Sequence, residues 1–418
     1  MQSPIGRKPK GPVNSNSAVG PQSSRMEPSL AANRPVESAV HLPVLDGIRG
    51  TAILAVLLFH FVAPENRDGL ANAAVSWLFS YGALGVDLFF LLSGFLITGI
   101  LYDSRADAHY FRNFYMRRTL RIFPLYYGVL LIIFLVLPLI PAFRGSELSD
   151  MQAHQSWAWL YAVNIYLAIH DGWVLSYIEH FWSLAVEEQF YLIWPLAVWL
   201  LAAKPRAFLT FAFIVAAASF IGRIAAELAG AGPVALEVLT PFQLDALAIG
   251  GLFAVYLRQP GGEGGARRLV VPLALAGLGL LAIQYGLRHL VSRSNLLESL
   301  RHGAFHLLLA ALLLKGLLGP ASSGWSRFLC SRPLAFLGKY SYGLYVYHHF
   351  LSYYFSTHHT DVALAASLGC STMTALVLQA VVGIAISIAL AWLSYEFFEK
   401  HFLRLKRYWP SSHARILH

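Results

Sequence analysis

The sequence is poor in charge and almost free of cysteine. Of its 418 residues only 13% are Asp, Glu, Lys or Arg, against 57% hydrophobic, and the mean hydropathy is +0.55. A soluble globular domain carries about a quarter charged residues, so this shortage excludes that class. Two cysteines, Cys330 and Cys370, are too few for a disulfide framework or a cysteine-based metal site. The alternation of apolar and polar residues that marks a membrane β-barrel is missing as well. What remains are charge-free runs such as YGVLLIIFLVLPLIPAF (Tyr127 to Phe143) and TALVLQAVVGIAISIALAWL (Thr374 to Leu393), each long enough to cross hydrocarbon as a helix. The expected fold is all-α, a polytopic integral membrane protein.

Ten candidate spans follow, at 45–64, 81–102, 123–142, 182–203, 207–230, 240–257, 269–287, 303–320, 334–355 and 374–398. Segment 155–170 is apolar but short and edged with aromatics, and reads as interfacial or re-entrant. Residues 1–42, rich in Pro, Ser, Gly and Asn, lack the apolar core of a signal peptide and read as a disordered cytoplasmic tail. With that tail inside, all but five of the loop and tail Lys and Arg fall on inner segments, the exceptions being Arg67, Arg144, Arg288, Arg293 and Arg301. This asymmetry places both termini in the cytoplasm. The net charge of +9 is thus topological, and no nucleic-acid partner is expected. The chain divides into the tail 1–42, a membrane domain 43–400 and a basic cytoplasmic tail 401–418.

Ionisable residues at bilayer depth normally face a cavity or a partner, so the polar residues within the spans carry the functional signal. Arg49 and His60 stand eleven apart in the first span. At 100° per residue they share one helix face, separated by roughly 16 Å along the axis. A snorkelling Arg and a structural His are the bland alternatives. Asp87, in GVDLFFLLSGFLIT, reads first as a partner for an Arg or a helix end. In the basic, aromatic loop HYFRNFYMRRTLRIFPLYY, Arg118 and Arg121 are three apart and would project together from a helix, with Arg117 beside them. Guanidinium forks suit phosphate, although a loop that merely orients the protein would also be basic. In HFWSLAVEEQFYLIWP, Ser183, Glu187 and Tyr191 form one stripe, and Glu188 points about 100° away. Arg223 and Asp245 can pair with each other or with these carboxylates. In the ninth span Ser341, Tyr345 and His348 share a face, with Tyr342, Tyr345 and His349 on an overlapping one.

The order LDGIRG, His60, GVDLFFLLSGFLIT, RRTLRIFPLYY, FWSLAVEEQFYL and YSYGLYVYHHF resembles the acyltransferase-3 family of membrane O-acyltransferases, over about Leu42 to Lys400. The resemblance implies about ten helices around a buried polar channel. It also implies transfer of an acyl group, commonly acetyl, from cytoplasmic acyl-CoA to a hydroxyl of a carbohydrate or glycoconjugate acceptor. It assigns Arg49 and His60 as the essential pair, Arg118 and Arg121 to the CoA donor, and the family's glutamate to Glu187, with Glu188 beside it. One departure stands in the ninth span, where His348 is followed by His349 and Phe350 rather than by an aromatic residue and a proline. Some relatives carry an extracytoplasmic SGNH hydrolase-like domain after the last span. With this chain ending at His418, the expectation is that the membrane domain or another protein completes the acceptor chemistry.

The expected mechanism has CoA phosphates on Arg118, Arg121 and Arg117 and His60 as general base, with an acyl-histidine as the variant. Arg49 would stabilise charge or orient the donor and Glu187 would orient or relay, while Asp46, Glu188, Tyr342 and His348 are assigned to substrate binding. No metal is expected, and the bacterial inner membrane is the expected location. A proton-coupled transporter or flippase is the rival reading, since buried charges in ten helices suit a carrier too. The acceptor and the oligomeric state are not legible in the sequence.

Overall fold

A computed structural model describes residues 43–62, 70–141, 145–290 and 296–410. The tail 1–42, Arg67, Arg144, Arg293 and residues 411–418 lie outside the described residues. Among those described there is no strand, and ten helices of thirteen residues or more form the frame. They are α1 (Pro43–Val62), α2 (Leu84–Asp103), α3 (Tyr110–Leu131), α4 (Trp182–Leu201), α5 (Pro205–Leu228), α6 (Leu244–Tyr256), α7 (Gly262–Leu290), α8 (Leu296–Leu318), α9 (Arg332–Thr357) and α10 (Thr372–Ser394). Eight helical stretches are long and apolar enough to cross a membrane. The other two expected spans are also helical. One of them, α6, has only thirteen residues, and α9 has 26 but is crowded with Tyr and His.

Local sequence sets several helix starts. Pro43 and Pro205 open α1 and α5 at positions where a missing N–H costs nothing. Ser371 caps α10, its Oγ accepting the Thr374 N–H at 3.1 Å. Leu192 and Ile193 on α4 and Val381 and Val382 on α10 are exposed, as apolar side chains facing lipid would be.

One reading of the sequence is corrected and another gains detail. Residues 110–122, read as a cytoplasmic loop, form the first part of α3. The stretch holds no Gly or Pro, and its Asn113, Phe114 and Ile122 pack inward, so the helix continues through the basic residues. Segment 155–170 forms two short helices, Gln155–Trp159 and Val163–His170, broken at Tyr161, whose φ is 52°. The Gln189 side chain donates to the Tyr161 carbonyl at 2.9 Å and ties this break to α4.

Two glycines bring the functional helices together. A Cβ on Gly338 would sit 2.0 Å from the Asp46 carbonyl oxygen, and one on Gly94 would sit 1.9 Å from that of Leu247. Only glycine permits such backbone approach. The first contact lays α9 alongside α1 and parallel to it; the second presses α2 onto α6. The polar residues of four separate spans thereby reach the interior.

Candidate active site

A cavity opens where α1, α2, α3, α4 and α9 meet, with about 170 Å³ free for water-sized molecules. Arg49, Arg118 and Arg121 line it together with Glu187, Glu188, Ser93, Tyr191, Tyr342 and Tyr345. Arg49 is steadied from one helical turn away by Asp46, Nη1 to Oδ1 at 3.3 Å. Arg118 lies over the Tyr191 ring at 5.6 Å and the Phe114 ring at 5.9 Å. Among the described residues neither Arg118 nor Arg121 has a hydrogen-bond acceptor for its guanidinium. Both line the same cavity as Arg49, so three like charges face one space.

The carboxylates oppose these cations unequally. Glu187 lines the cavity beside Ser93 and Tyr191, whose hydroxyls contact one another. Glu188 leaves Oε1 buried without a partner among the described residues. A buried, unpaired charge is costly unless a ligand completes it. Three converging guanidinium groups with spare donors are chemically suited to a multiply charged anion.

The histidines gather next to this cavity rather than in it. His60 donates from Nδ1 to the Val56 carbonyl at 3.0 Å, which leaves Nε2 as its free base atom. Its ring centroid is 4.8 Å from that of His348 and 5.4 Å from that of His349. His180 joins at 4.6 Å from His349, and Glu179 Oε1 lies 3.6 Å from His349 Nε2. His348 places Nδ1 on the Tyr345 carbonyl at 2.7 Å and leaves Nε2 buried without a partner among the described residues. Tyr345 joins the two regions. It lines the cavity, its ring is 5.5 Å from the His348 ring, and its hydroxyl is held by Ser183 and the His180 carbonyl.

Of the residues singled out from sequence, Arg49, Arg118, Arg121, Glu187, Glu188 and Tyr342 are brought to one cavity. His60 and His348 are in the adjoining cluster, and Asp46 stands behind Arg49. Arg117 is not at the cavity; its Nη1 donates to the carbonyls of Trp409 at 3.1 Å and Lys406 at 3.4 Å. Nor does Glu187 set the His60 tautomer, a role the Val56 carbonyl fills. Sequence reasoning missed Glu179 and His180, which immediately precede the FWSLAVEEQFYL run, and it missed His302 and His306, whose i, i+4 spacing was the available signal. Arg223 donates Nε and Nη2 to the Leu236 carbonyl at 3.1 and 2.7 Å, while Asp245 accepts from His306. Among the described residues two groups have metal-ligand spacing, His60 with His348 and His349, and Asp87 with His302 and His306.

Comparison with known proteins fits this arrangement. The chain is 29% identical to the O-acetyltransferase OatA of Staphylococcus aureus over 321 residues, covering 74% of this chain and 50% of that protein. It is 32% identical to the peptidoglycan O-acetyltransferase OatA of Listeria monocytogenes over 166 residues, 38% of this chain and 24% of that one. The chain thus spans about half the length of the staphylococcal relative. No solved structure matches it. The family profile described as an acyltransferase domain matches residues 42–396, nearly the whole helical bundle, and the chain therefore belongs to the acyltransferase-3 family.

Proposed function

We propose that the protein is a membrane O-acetyltransferase that moves an acetyl group from acetyl-CoA to a hydroxyl of a cell-envelope carbohydrate. Peptidoglycan is the acceptor suggested by the name of the Listeria monocytogenes relative. One observation carries the reading: three guanidinium groups converge on a cavity whose inner wall, Tyr345, packs directly on the cluster that holds His60.

In this reading the arginine end of the bundle faces the cytoplasm at the bacterial inner membrane, and both termini lie on that side. Arg118, Arg121 and Arg49 take the CoA phosphates as charge-assisted forks. Arg49 and His60 are roughly 16 Å apart along α1, so they serve opposite ends of an extended donor. The pantetheine arm passes Tyr342 and Tyr345 and presents its thioester to the histidines. His60 Nε2 takes the proton of the acceptor hydroxyl as its oxygen attacks the thioester carbonyl. The new C–O ester bond forms, the C–S bond breaks, and the thiolate of CoA leaves and recovers that proton. His348 and Glu188 position the acceptor and the donor respectively.

The test is transfer of radiolabelled acetyl from acetyl-CoA to muropeptides by the purified protein in lipid nanodiscs. Alkali-labile label on the sugar, absent with His60→Ala, is the expected result. Wild-type protein that neither binds CoA nor transfers label overturns the reading.

A further inference from the structure

The second polar cluster of the bundle lies apart from the cavity and has no part in the reaction described above. Asp87 near the start of α2, Asp245 at the start of α6, and His302 and His306 in the first turns of α8 meet there. We propose that Asp87, His302 and His306 form a binding site for a divalent metal ion of the Zn²⁺ type, with Asp245 orienting His306 from behind.

Four observations support the site. His302 and His306 are four residues apart, so one helix face presents both imidazoles. Their nitrogens are unspent: His302 Nδ1 and His306 Nε2 are buried and have no hydrogen-bond partner among the described residues. The three side chains offer donor atoms within 4.8 Å of one another. The His306 ring is also aimed, because its Nδ1 sits 2.8 Å from Asp245 Oδ2. A proton on Nδ1 directed at a carboxylate turns the Nε2 lone pair toward Asp87, the arrangement in which a carboxylate orients a metal-binding histidine.

The spacing favours a metal over a hydrogen bond. His306 Nε2 is 3.3 Å from Asp87 Oδ1 but makes no well-directed hydrogen bond to it. Two ligands bound at about 2.0–2.1 Å in tetrahedral geometry lie about 3.3 Å apart, the edge a zinc site would show. Two imidazoles and a carboxylate suit a borderline ion such as Zn²⁺ better than Mg²⁺ or Ca²⁺, which take oxygen ligands, or Cu⁺, which takes sulfur. Arg223, the nearby cation, gives Nε and Nη2 to the Leu236 carbonyl, keeps Nη1 buried without a partner, and forms no ion pair with either aspartate among the described residues. The competing occupant is a second proton on His306, shared between Asp87 and Asp245. It leaves the buried Nδ1 of His302 with nothing to do.

The full-length protein, purified in detergent through an affinity tag free of histidine, tests the site by elemental analysis and thermal unfolding. The expected result is one zinc-type ion per chain, lost on dialysis against a chelator with a fall in Tm, and recovered with its Tm on adding Zn²⁺ alone. His302→Gln should bring the metal to background, while His348→Gln, which alters the other histidine group, should retain it. Because misfolding of His302→Gln would also empty the site, Co²⁺ added to the chelated wild-type chain provides a second readout, expected as the visible d–d bands of a tetrahedral N/O site. A folded wild-type chain that carries no metal and whose Tm ignores Zn²⁺ overturns the proposal in favour of the shared proton. Metal kept by His302→Gln and lost by His348→Gln overturns it in favour of the other group.

Discussion

The arginine cavity and the Asp87–His306–Asp245 cluster are both polar interiors of one bundle, but they handle charge in opposite ways. In the cavity three guanidinium groups crowd together with spare donors, and Glu188 keeps a carboxylate oxygen unpartnered. In the cluster His306 stands between two aspartates, with Asp245 Oδ1 also accepting the Ala246 N–H at 2.9 Å. One site crowds cations that wait for an anion; the other sets aspartates against imidazoles across three helices and leaves only ring nitrogens open. Substitutions should therefore cost activity in the first region and stability in the second.

The largest effect is expected at His60, beside the cavity. General-base catalysis contributes about 10²–10⁴-fold, so His60→Ala should cut acetyl transfer by about that factor. Its Tm should move little, since the ring makes one hydrogen bond, to its own helix. The check is single-turnover label transfer alongside a melting curve. Transfer near the wild-type rate would remove His60 from the reaction and with it the functional half of the comparison.

Asp245→Ala should do the reverse. It strips a buried partner from His306 and, on the magnitudes known for breaking buried ion pairs, should cost about 3–5 kcal/mol of stability. Donor affinity, measured by CoA titration on whatever fraction remains folded, should be unchanged. If CoA binding weakens as much as stability does, the two clusters are one functional unit and the division fails.

How much of this was legible differs between the two regions for a physical reason. The cavity residues come in short local patterns: Arg118 and Arg121 three apart, Glu187 beside Glu188, Arg49 on a face shared with His60. Helical periodicity groups Arg118 with Arg121, and the fold brings them to one cavity with Arg49, Glu187 and Glu188, although Glu188 points about 100° from Glu187 and His60 lies beside the cavity. The Asp87 cluster draws on α2, α6 and α8, and only the close approach at Gly94 and Leu247 reveals that two of its members meet. Periodicity also misjudged the start of α3. A dense run of Arg looks like a solvated loop until it is known that its guanidinium groups have a protein cavity to face. The same limit applies to His60: the helical wheel set it on the Arg49 face, but a wheel cannot show that Tyr345 stands between the two ends.

Arg121→Gln sharpens the comparison with a smaller effect. A charge-assisted hydrogen bond contributes about 1.5–3 kcal/mol, so the KM for acetyl-CoA should rise about 10- to 100-fold. The rise should grow with a fully phosphorylated donor and vanish with an acetyl-pantetheine lacking the nucleotide. Stability should hold or improve, because one of three mutually repelling cations is gone. A clear loss of Tm would mean that the cavity cations are structural.

The smallest effect is expected at Arg117, and it locates the edge of the cavity. Sequence spacing grouped Arg117 with Arg118 and Arg121 as donor ligands, but consecutive helical residues point about 100° apart, and Arg117 is turned to the carboxyl-terminal segment. There it supports the Lys406 and Trp409 carbonyls, while Asn113 holds the Pro410 carbonyl at 2.6 Å. Arg117→Ala should therefore leave KM within about a factor of two, the residue of a screened long-range attraction. It should also make residues 400–410 more open to proteolysis, because the lost bonds contribute about 1 kcal/mol to holding that segment. A KM rise matching that of Arg121→Gln would mean that the segment lifts and Arg117 swings to the donor during turnover. The boundary between a binding cation and a structural one would then be set by the carboxyl-terminal segment rather than by helix geometry.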